Sequence, residues 1–274
     1  MTPDAPDSPD TATTPATTPV TPGPATARPV TIVTGGGRGI GAAISERLAA
    51  DGHDLFLTWR ERREDAESIA ERCRAAGSRV VLHRVDLADL HAVAAVVPAA
   101  VAAFGRVTGL VNNAGITGRI GPFLDASIEE SDLVFRVNVL ATIVLCRAAV
   151  AHMSTGRGGA GGSIVNISSG AATTGSPDTY IPYAASKAAV NVLTMGLAKE
   201  FGASGVRVNT VSPGTTHTEI HAAAGRPDAP RERAGRFPMR RAAEPHEISG
   251  AVAYLLSDDA SYTSGADIRI TGGA

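Results

Sequence analysis

Tyr183 and Lys187 stand four residues apart in the run Tyr183-Ala184-Ala185-Ser186-Lys187, so a helix places both on one face. An ammonium one turn from a phenol favours the phenolate. It is expected to pull the tyrosine below its ordinary pKa of about 10 and make proton exchange practical near neutrality. Upstream, Thr34-Gly35-Gly36-Gly37-Arg38-Gly39-Ile40-Gly41 closes the β-branched run that starts at Val30. Glycines at 35, 39 and 41 permit a tight turn, close approach of backbone to a pyrophosphate, and close packing of helix on strand. Gly37, Arg38 and Ile40 belong to the same turn, where a helix amino terminus offers free N–H groups to phosphates. Together the two groups point to acid/base chemistry beside a bound dinucleotide.

Further residues fall into place around this pair. Ser168 and Ser169 close the apolar strand Ile164-Val165-Asn166-Ile167, so a hydroxyl emerges where a carbonyl oxygen can be held for the phenol; Ser169 is the expected one, and turn chemistry is the plain alternative. Tyr180 has Ala184 four residues on, lacks a helical cation partner, and reads as a pocket wall. In many dinucleotide folds an acid ends the second strand, but here Leu57-Thr58 runs into Trp59-Arg60-Glu61-Arg62-Arg63. Arg60 with Arg38 could clamp a 2′-phosphate, which points to NADP(H) over NAD(H); the alternative is a solvated helix start at Arg60, Arg62 and Arg63. Asp86-Leu87 either meets the adenine or caps the next helix. His217 and His221 are spaced as on a helix, but HExxH is absent, so no metal site is expected; either imidazole lines the pocket or lies on a solvated loop.

Positioning these residues requires strands alternating with helices. Strands are expected at Val30 to Thr34, Asp54 to Thr58, Arg79 to Val85, Thr108 to Asn112, Gly162 to Ser168, Val206 to Val211 and Asp267 to Thr271. Helices are expected at Ile40 to Asp51, Glu61 to Ala76, Leu90 to Phe104, Ser127 to Met153, Tyr183 to Phe201 and Pro245 to Leu256, with Pro98 kinking or breaking the third. This alternation implies an α/β, single-domain Rossmann fold: a doubly wound parallel sheet of about seven strands with helices on both faces. Pro213 to Arg241 leaves the carboxyl end of a strand as a long segment and is expected to be a substrate lid.

Residues 1 to 28 are mostly Thr, Pro, Ala and Asp and are expected to be a disordered tail, leaving residues 29 to 274 for the folded domain. A formal net charge of −2 with no basic block disfavours nucleic acid or an anionic membrane as partner and leaves small molecules. The apolar run Val137 to Cys146 reads as a buried helix too short to cross a bilayer, and no secretory pattern opens the chain. Cys73 and Cys146 lack CxxC spacing, which fits two inert thiols in a reduced cytoplasm.

Taken in order, TGGGRGIG at 34 to 41, Asn112-Asn113-Ala114-Gly115, Asn138-Val139, Ile167-Ser168-Ser169, the Tyr183 to Lys187 run and Pro213-Gly214 resemble the short-chain dehydrogenase/reductases. The resemblance spans residues 29 to 273 and implies a role for each matching position. Asn138 would hold a water at a helix kink, Ser169 would orient substrate, Tyr183 would exchange the proton, and Lys187 would bind the nicotinamide ribose while tuning Tyr183. Asn113, Ala114 and Gly115 would pack beside the cofactor, and Pro213, Gly214 and Thr218 would close over the nicotinamide. Family members commonly pair through two long helices into dimers or tetramers.

One departure is that Ser169 precedes Tyr183 by fourteen positions, one more than the family's commonest interval, which puts an extra residue in the loop through Ser176-Pro177-Asp178 and leaves substrate identity open. The Tyr180-to-Tyr183 stretch, Thr218 to His221 and Pro238-Met239 look like bacterial members of the glucose-dehydrogenase or 3-oxoacyl-reductase kind. The expectation is an NADP-dependent oxidoreductase of a small ketone or secondary alcohol. A sugar dehydrogenase and a catalytically idle dinucleotide sensor are the alternatives; an epimerase or dehydratase would need a larger substrate domain.

Overall fold

The β-branched and aliphatic runs of the chain form seven strands: β1 (Val30–Val33), β2 (Asp54–Trp59), β3 (Val80–Arg84), β4 (Gly109–Asn112), β5 (Gly162–Ile167), β6 (Val206–Pro213) and β7 (Asp267–Ile270). They make one sheet in the order β3-β2-β1-β4-β5-β6-β7, with every pair parallel. The expected doubly wound α/β fold is therefore the observed one. The structure, a computed structural model, describes Met1 and residues 28–274; the tail expected over residues 1 to 28 lies almost wholly outside the described residues.

Helices cover both faces: α1 (Gly39–Ala50), α2 (Arg63–Ala75), α3 (Leu90–Ala94), α4 (Val96–Phe104), α5 (Ile128–Phe135), α6 (Ala141–Met153), α7 (Ala171–Thr174), α8 (Ile181–Phe201), α9 (Ile220–Ala223), α10 (Ala229–Ala234) and α11 (Pro245–Leu256). The single helix expected at Leu90 to Phe104 is broken at Ala95. Pro98 is the third residue of α4 and has no N–H to continue the α3 ladder, which accounts for the break. Asp89 caps α3 by accepting from the backbone N–H groups of His91 and Ala92.

Successive strand residues alternate between two cores, as the pleat dictates. Ile32, Phe56, Leu110 and Ile164 pack with Val97 of α4 and Leu145 and Ala149 of α6. Val33, Leu57 and Val165 pack on the other face with Leu48 of α1 and Ile248 and Leu255 of α11. Because both faces are covered, the strands read as continuous apolar runs.

Between α5 and α6, Arg136–Leu140 forms a π-helical turn, so helix continues from Ile128 to Met153. The stretch is 26 residues long and its most apolar 18-residue window has a mean hydropathy of 1.9, so by length and composition alone it is enough to cross a membrane, which corrects the reading of Val137 to Cys146 as too short. The flanking turns extend the helix beyond the apolar run, and 56% of the most apolar window is buried within the fold. Cys73 and Cys146 are both buried, with burial pushing their thiols up to about 11 and about 12.

Leu145 is 1% exposed in the core between α6 and the sheet. Leu145→Ala should lower the unfolding free energy by about 2–5 kcal/mol in urea denaturation. A loss below about 1 kcal/mol would mean that α6 is not packed on the sheet as described.

Candidate active site

The strand order reverses direction between β1 and β4, and at the carboxyl ends of the strands there a cavity of about 920 Å³ opens. Its floor is the glycine turn after β1. Gly35 has φ of +63° and Gly39 of +52°, a left-handed backbone that suits glycine. A Cβ on Gly41 would lie 2.1 Å from the carbonyl oxygen of Gly35, so the third glycine is fixed by the close approach of α1 to the turn. A Cβ on Gly37 would lie 2.8 Å from Cα of Ala66, and this glycine packs the turn onto α2.

Arg38 caps α1 with no side-chain hydrogen bond, and no acid stands in the first turn. The first helical donor, Ala42 N–H, reaches the carbonyl of Arg38 at 3.1 Å, which leaves the preceding N–H groups of Gly39, Ile40 and Gly41 facing an anion site. Thr34 Oγ1 accepts from the N–H groups of Asn113 (2.9 Å) and Ala114 (3.0 Å), tying the loop after β4 to the turn. Asn113 Nδ2 donates back to the carbonyl of Thr34 at 2.9 Å. Gly115 follows in the cavity wall.

A smaller cavity of about 120 Å³ adjoins the turn and is lined by Trp59, Arg60, Asp86 and Leu87 together with Arg38. No acid ends β2 at this point, as expected. Arg60 lies 2.7 Å from Glu61 and 4.0 Å from Asp86, so it is shared with carboxylates, whereas Arg38 is exposed at the mouth. Asp86 accepts from Ala88 N–H at 2.9 Å, and the helix cap is Asp89.

Ser169, Tyr183 and Lys187 converge on the large cavity from β5 and α8. Pro182 in the first turn of α8 presets the helix start, and Tyr180 precedes it as cap residue. The rings of Tyr180 and Tyr183 meet edge to face at 5.0 Å. Lys187 Nζ donates to the carbonyl of Ile167 at 2.8 Å and lies 5.7 Å from the Tyr183 ring centroid.

The expected lowering of the Tyr183 pKa is not what this geometry produces. Burial pushes the phenol above the usual tyrosine range, the Tyr180 phenol adds to the rise, and a hydrogen bond with Ser169 offsets only part of it. Helical spacing puts the two residues on one face, but the hydrogen bond of the ammonium goes to the Ile167 carbonyl, and none to the phenol is present among the described residues. Burial lowers Lys187 itself to about 8.

Asn138 does not line the cavity. It sits 1% exposed in the π turn, where Nδ2 donates to the carbonyl of Ile116 (2.9 Å) and to Ser186 Oγ (3.0 Å), and Oδ1 accepts from Ile116 N–H (2.9 Å). Ser186 in turn donates to the carbonyl of Tyr183 at 2.7 Å, so Asn138 joins the loop after β4 to the helix carrying the phenol. Where a kink is expected at Asn138, the helix carries this π turn.

Pro213, Gly214, Thr218 and His221 line the far wall, and Thr218 packs 3.2 Å from where a Cβ of Gly39 would be. His217 is not in that wall. It points to Glu244 at 3.9 Å on the outer side, which corrects its place among the pocket residues: α9 is too short to carry both imidazoles to one face. Arg119, Arg233 and Arg236 also line the cavity and were not foreseen, because their segments have weak periodicity and no motif.

Comparison with known proteins agrees with this geometry. The family profile described as Enoyl-(Acyl carrier protein) reductase matches residues 35–274. The oxidoreductase YgfF of Escherichia coli (strain K12) is 37% identical over 244 residues, covering 89% of this chain and 99% of that protein. The D-threitol dehydrogenase of Mycolicibacterium smegmatis is 39% identical over 249 residues, covering 89% and 92%. A short chain dehydrogenase from Burkholderia cenocepacia J2315, solved in complex with NADP, superposes with a TM-score of 0.81 at 36% identity, covering 89% and 96%. The chain belongs to the short-chain dehydrogenase/reductase family.

Unfolded Lys187 keeps its proton up to its ordinary value of 10.5, whereas the folded residue releases it near about 8. Between these values the unfolded chain binds more protons, so the destabilisation from this buried ammonium is full below the window and eases as pH rises through it. Lys187→Met should therefore stand highest against wild type at pH 7 and lose up to about 3 kcal/mol of that relative stability by pH 10.5 in urea titrations. A difference indifferent to pH would contradict the burial of this charge.

Proposed function

We propose that the protein is an NADP(H)-dependent oxidoreductase that transfers hydride between the nicotinamide and the carbonyl or carbinol carbon of a small ketone or secondary alcohol. The observation that carries this reading is the convergence of Ser169, Tyr183 and Lys187 on the same cavity as an uncapped, glycine-cradled helix start. The turn fits a dinucleotide because a Cβ at Gly41 would close it and the free N–H groups ahead of Ala42 suit a pyrophosphate. Arg38 and Arg60, with no acid closing β2, suit a 2′-phosphate in the smaller cavity, and the NADP complex of the Burkholderia relative supports the same coenzyme.

Bound there, the coenzyme supplies or accepts the hydride. Ser169 holds the substrate oxygen through its hydroxyl. Tyr183 gives its proton to that oxygen as a carbonyl is reduced; burial keeps the phenol protonated at neutral pH, which suits it to the donor role. Lys187, fixed by the Ile167 carbonyl, brings a cation to the cofactor side of Tyr183. Asn138 is a positioning residue that ties Ile116 to α8. The segment from Pro213 to Arg241 closes the substrate side.

In this reading residues 29–274 form the working domain, in the cytoplasm, as a homo-oligomer. Phe135, Leu140 and Ile143 on the long helix and Val192 and Met195 on α8 are exposed large apolar side chains, which supports pairing of these helices in a dimer or tetramer.

Tyr183→Phe should reduce turnover of a ketone by about 10²- to 10⁴-fold while NADPH still binds, as read by stopped-flow turnover and NADPH fluorescence. Turnover at the wild-type rate would reject the proton role. Arg38→Ala with Arg60→Ala should weaken NADPH about 10-fold or more and leave NADH binding little changed. Equal weakening of both coenzymes would move the 2′-phosphate elsewhere.

A further inference from the structure

The substrate end of the large cavity is charged in a way that hydride transfer does not require. Arg233 of α10 donates through Nη1 to the Tyr180 hydroxyl at 3.1 Å, and its Cζ lies over the Tyr180 ring at 5.5 Å from the centroid. Tyr180 in turn packs against Tyr183. The guanidinium is thereby held one aromatic ring from the phenol proposed to exchange the proton. Among the described residues it has no carboxylate within ion-pair distance, and apart from the bond to Tyr180 its donors have no hydrogen-bond partner there.

Two of the acids that share the cavity are committed elsewhere. Glu61 pairs with Arg60 at 2.7 Å, and Glu130 closes the capping box of α5 with Ser127. Glu219 lies at the glycine turn, its Oε2 3.4 Å from where a Cβ of Gly39 would be. Arg119 from the loop after β4 and Arg236 beyond α10 add two more cations to the same wall. His221, 6% exposed, lines this wall with Nδ1 buried and unpartnered, and burial with the Arg233 charge lowers its pKa to about 4, so at neutral pH it adds a neutral polar group.

We propose that the substrate carries, in addition to its carbonyl or carbinol, a carboxylate a few bonds away from it, and that Arg233 holds that carboxylate against Tyr180. The inference rests on the oxidoreductase reading above and names its substrate class as keto acids and hydroxy acids. A planar guanidinium already oriented by one hydrogen bond and one ring offers the fork that a carboxylate matches. An uncharged ketone would leave the Arg233 guanidinium without a carboxylate partner.

The test compares 4-oxopentanoate and 4-oxocyclohexanecarboxylate with their methyl esters, using the NADPH-loaded full chain. Wild type should favour each acid over its ester by about 10-fold or more in kcat/KM. Arg233→Ala should collapse that ratio by about 10- to 100-fold, mainly through KM, and Arg233→Lys should restore part of it. Arg231→Ala, on the exposed side of α10, should keep the acid preference.

Ester preference in wild type, or an acid-to-ester ratio unmoved by Arg233→Ala, overturns the inference and leaves the oxidoreductase reading standing. Calorimetry of 4-oxopentanoate against NADP-loaded protein separates the opposite case. Arg233-dependent binding without turnover of any ketone keeps the anion site and rejects the hydride-transfer reading.

Discussion

Burial of a proton donor and a cation together at the carboxyl edge of one sheet is the constraint on which this site depends. Lys187 is 4% exposed and Tyr183 8% exposed, so neither side chain can rely on water to support a charge. The ammonium donates to the last carbonyl of β5, and Ser168 Oγ donates to the carbonyl of Lys187 at 3.1 Å. These two bonds stitch α8 to the strand that also presents Ser169. The same burial raises the phenol and lowers the ammonium, and it outweighs the attraction that helical spacing alone suggests.

The surrounding architecture serves this edge. Asn138 would be an ordinary packed amide in a regular helix; the π turn places it where its amide meets both Ile116 and Ser186. In the sheet below, Asn112 Nδ2 donates to Asn166 Oδ1 at 2.8 Å and Asn166 Nδ2 to Thr194 Oγ1 at 2.9 Å, so buried polar groups fix α8 against β4 and β5. Glycines in the turn after β1 then bring α1 close enough that its free N–H groups face the cavity holding Tyr183. Packing, backbone satisfaction and chemistry meet at the same strand ends.

The parallel sheet was legible because each buried strand is a short β-branched run and each intervening helix has its own periodicity; all seven strands fall within a few residues of expectation. Tyr183, Lys187, Ser169 and the glycine turn were legible because their spacing is set by one helix, one strand end and one turn. The direction of the Lys187 ammonium was not, because it depends on a carbonyl from β5 that is distant in sequence. The place of His217 is not legible for a similar reason: its neighbour in the fold is Glu244, beyond the lid. The arginines of the lid carried no local pattern, and only folding brings Arg233 onto Tyr180.

The central claim is that burial, and not the neighbouring cation, sets the proton affinity of Tyr183 in the free protein. Carbon-13 NMR of tyrosine labelled at the phenolic carbon, with the Tyr183 resonance assigned by the Tyr183→Phe spectrum, reads this directly across a pH titration. The account predicts a phenol still almost fully protonated at pH 10, where an ordinary tyrosine is half ionised. A midpoint near neutrality in the cofactor-free protein would contradict it and give control of the proton back to Lys187.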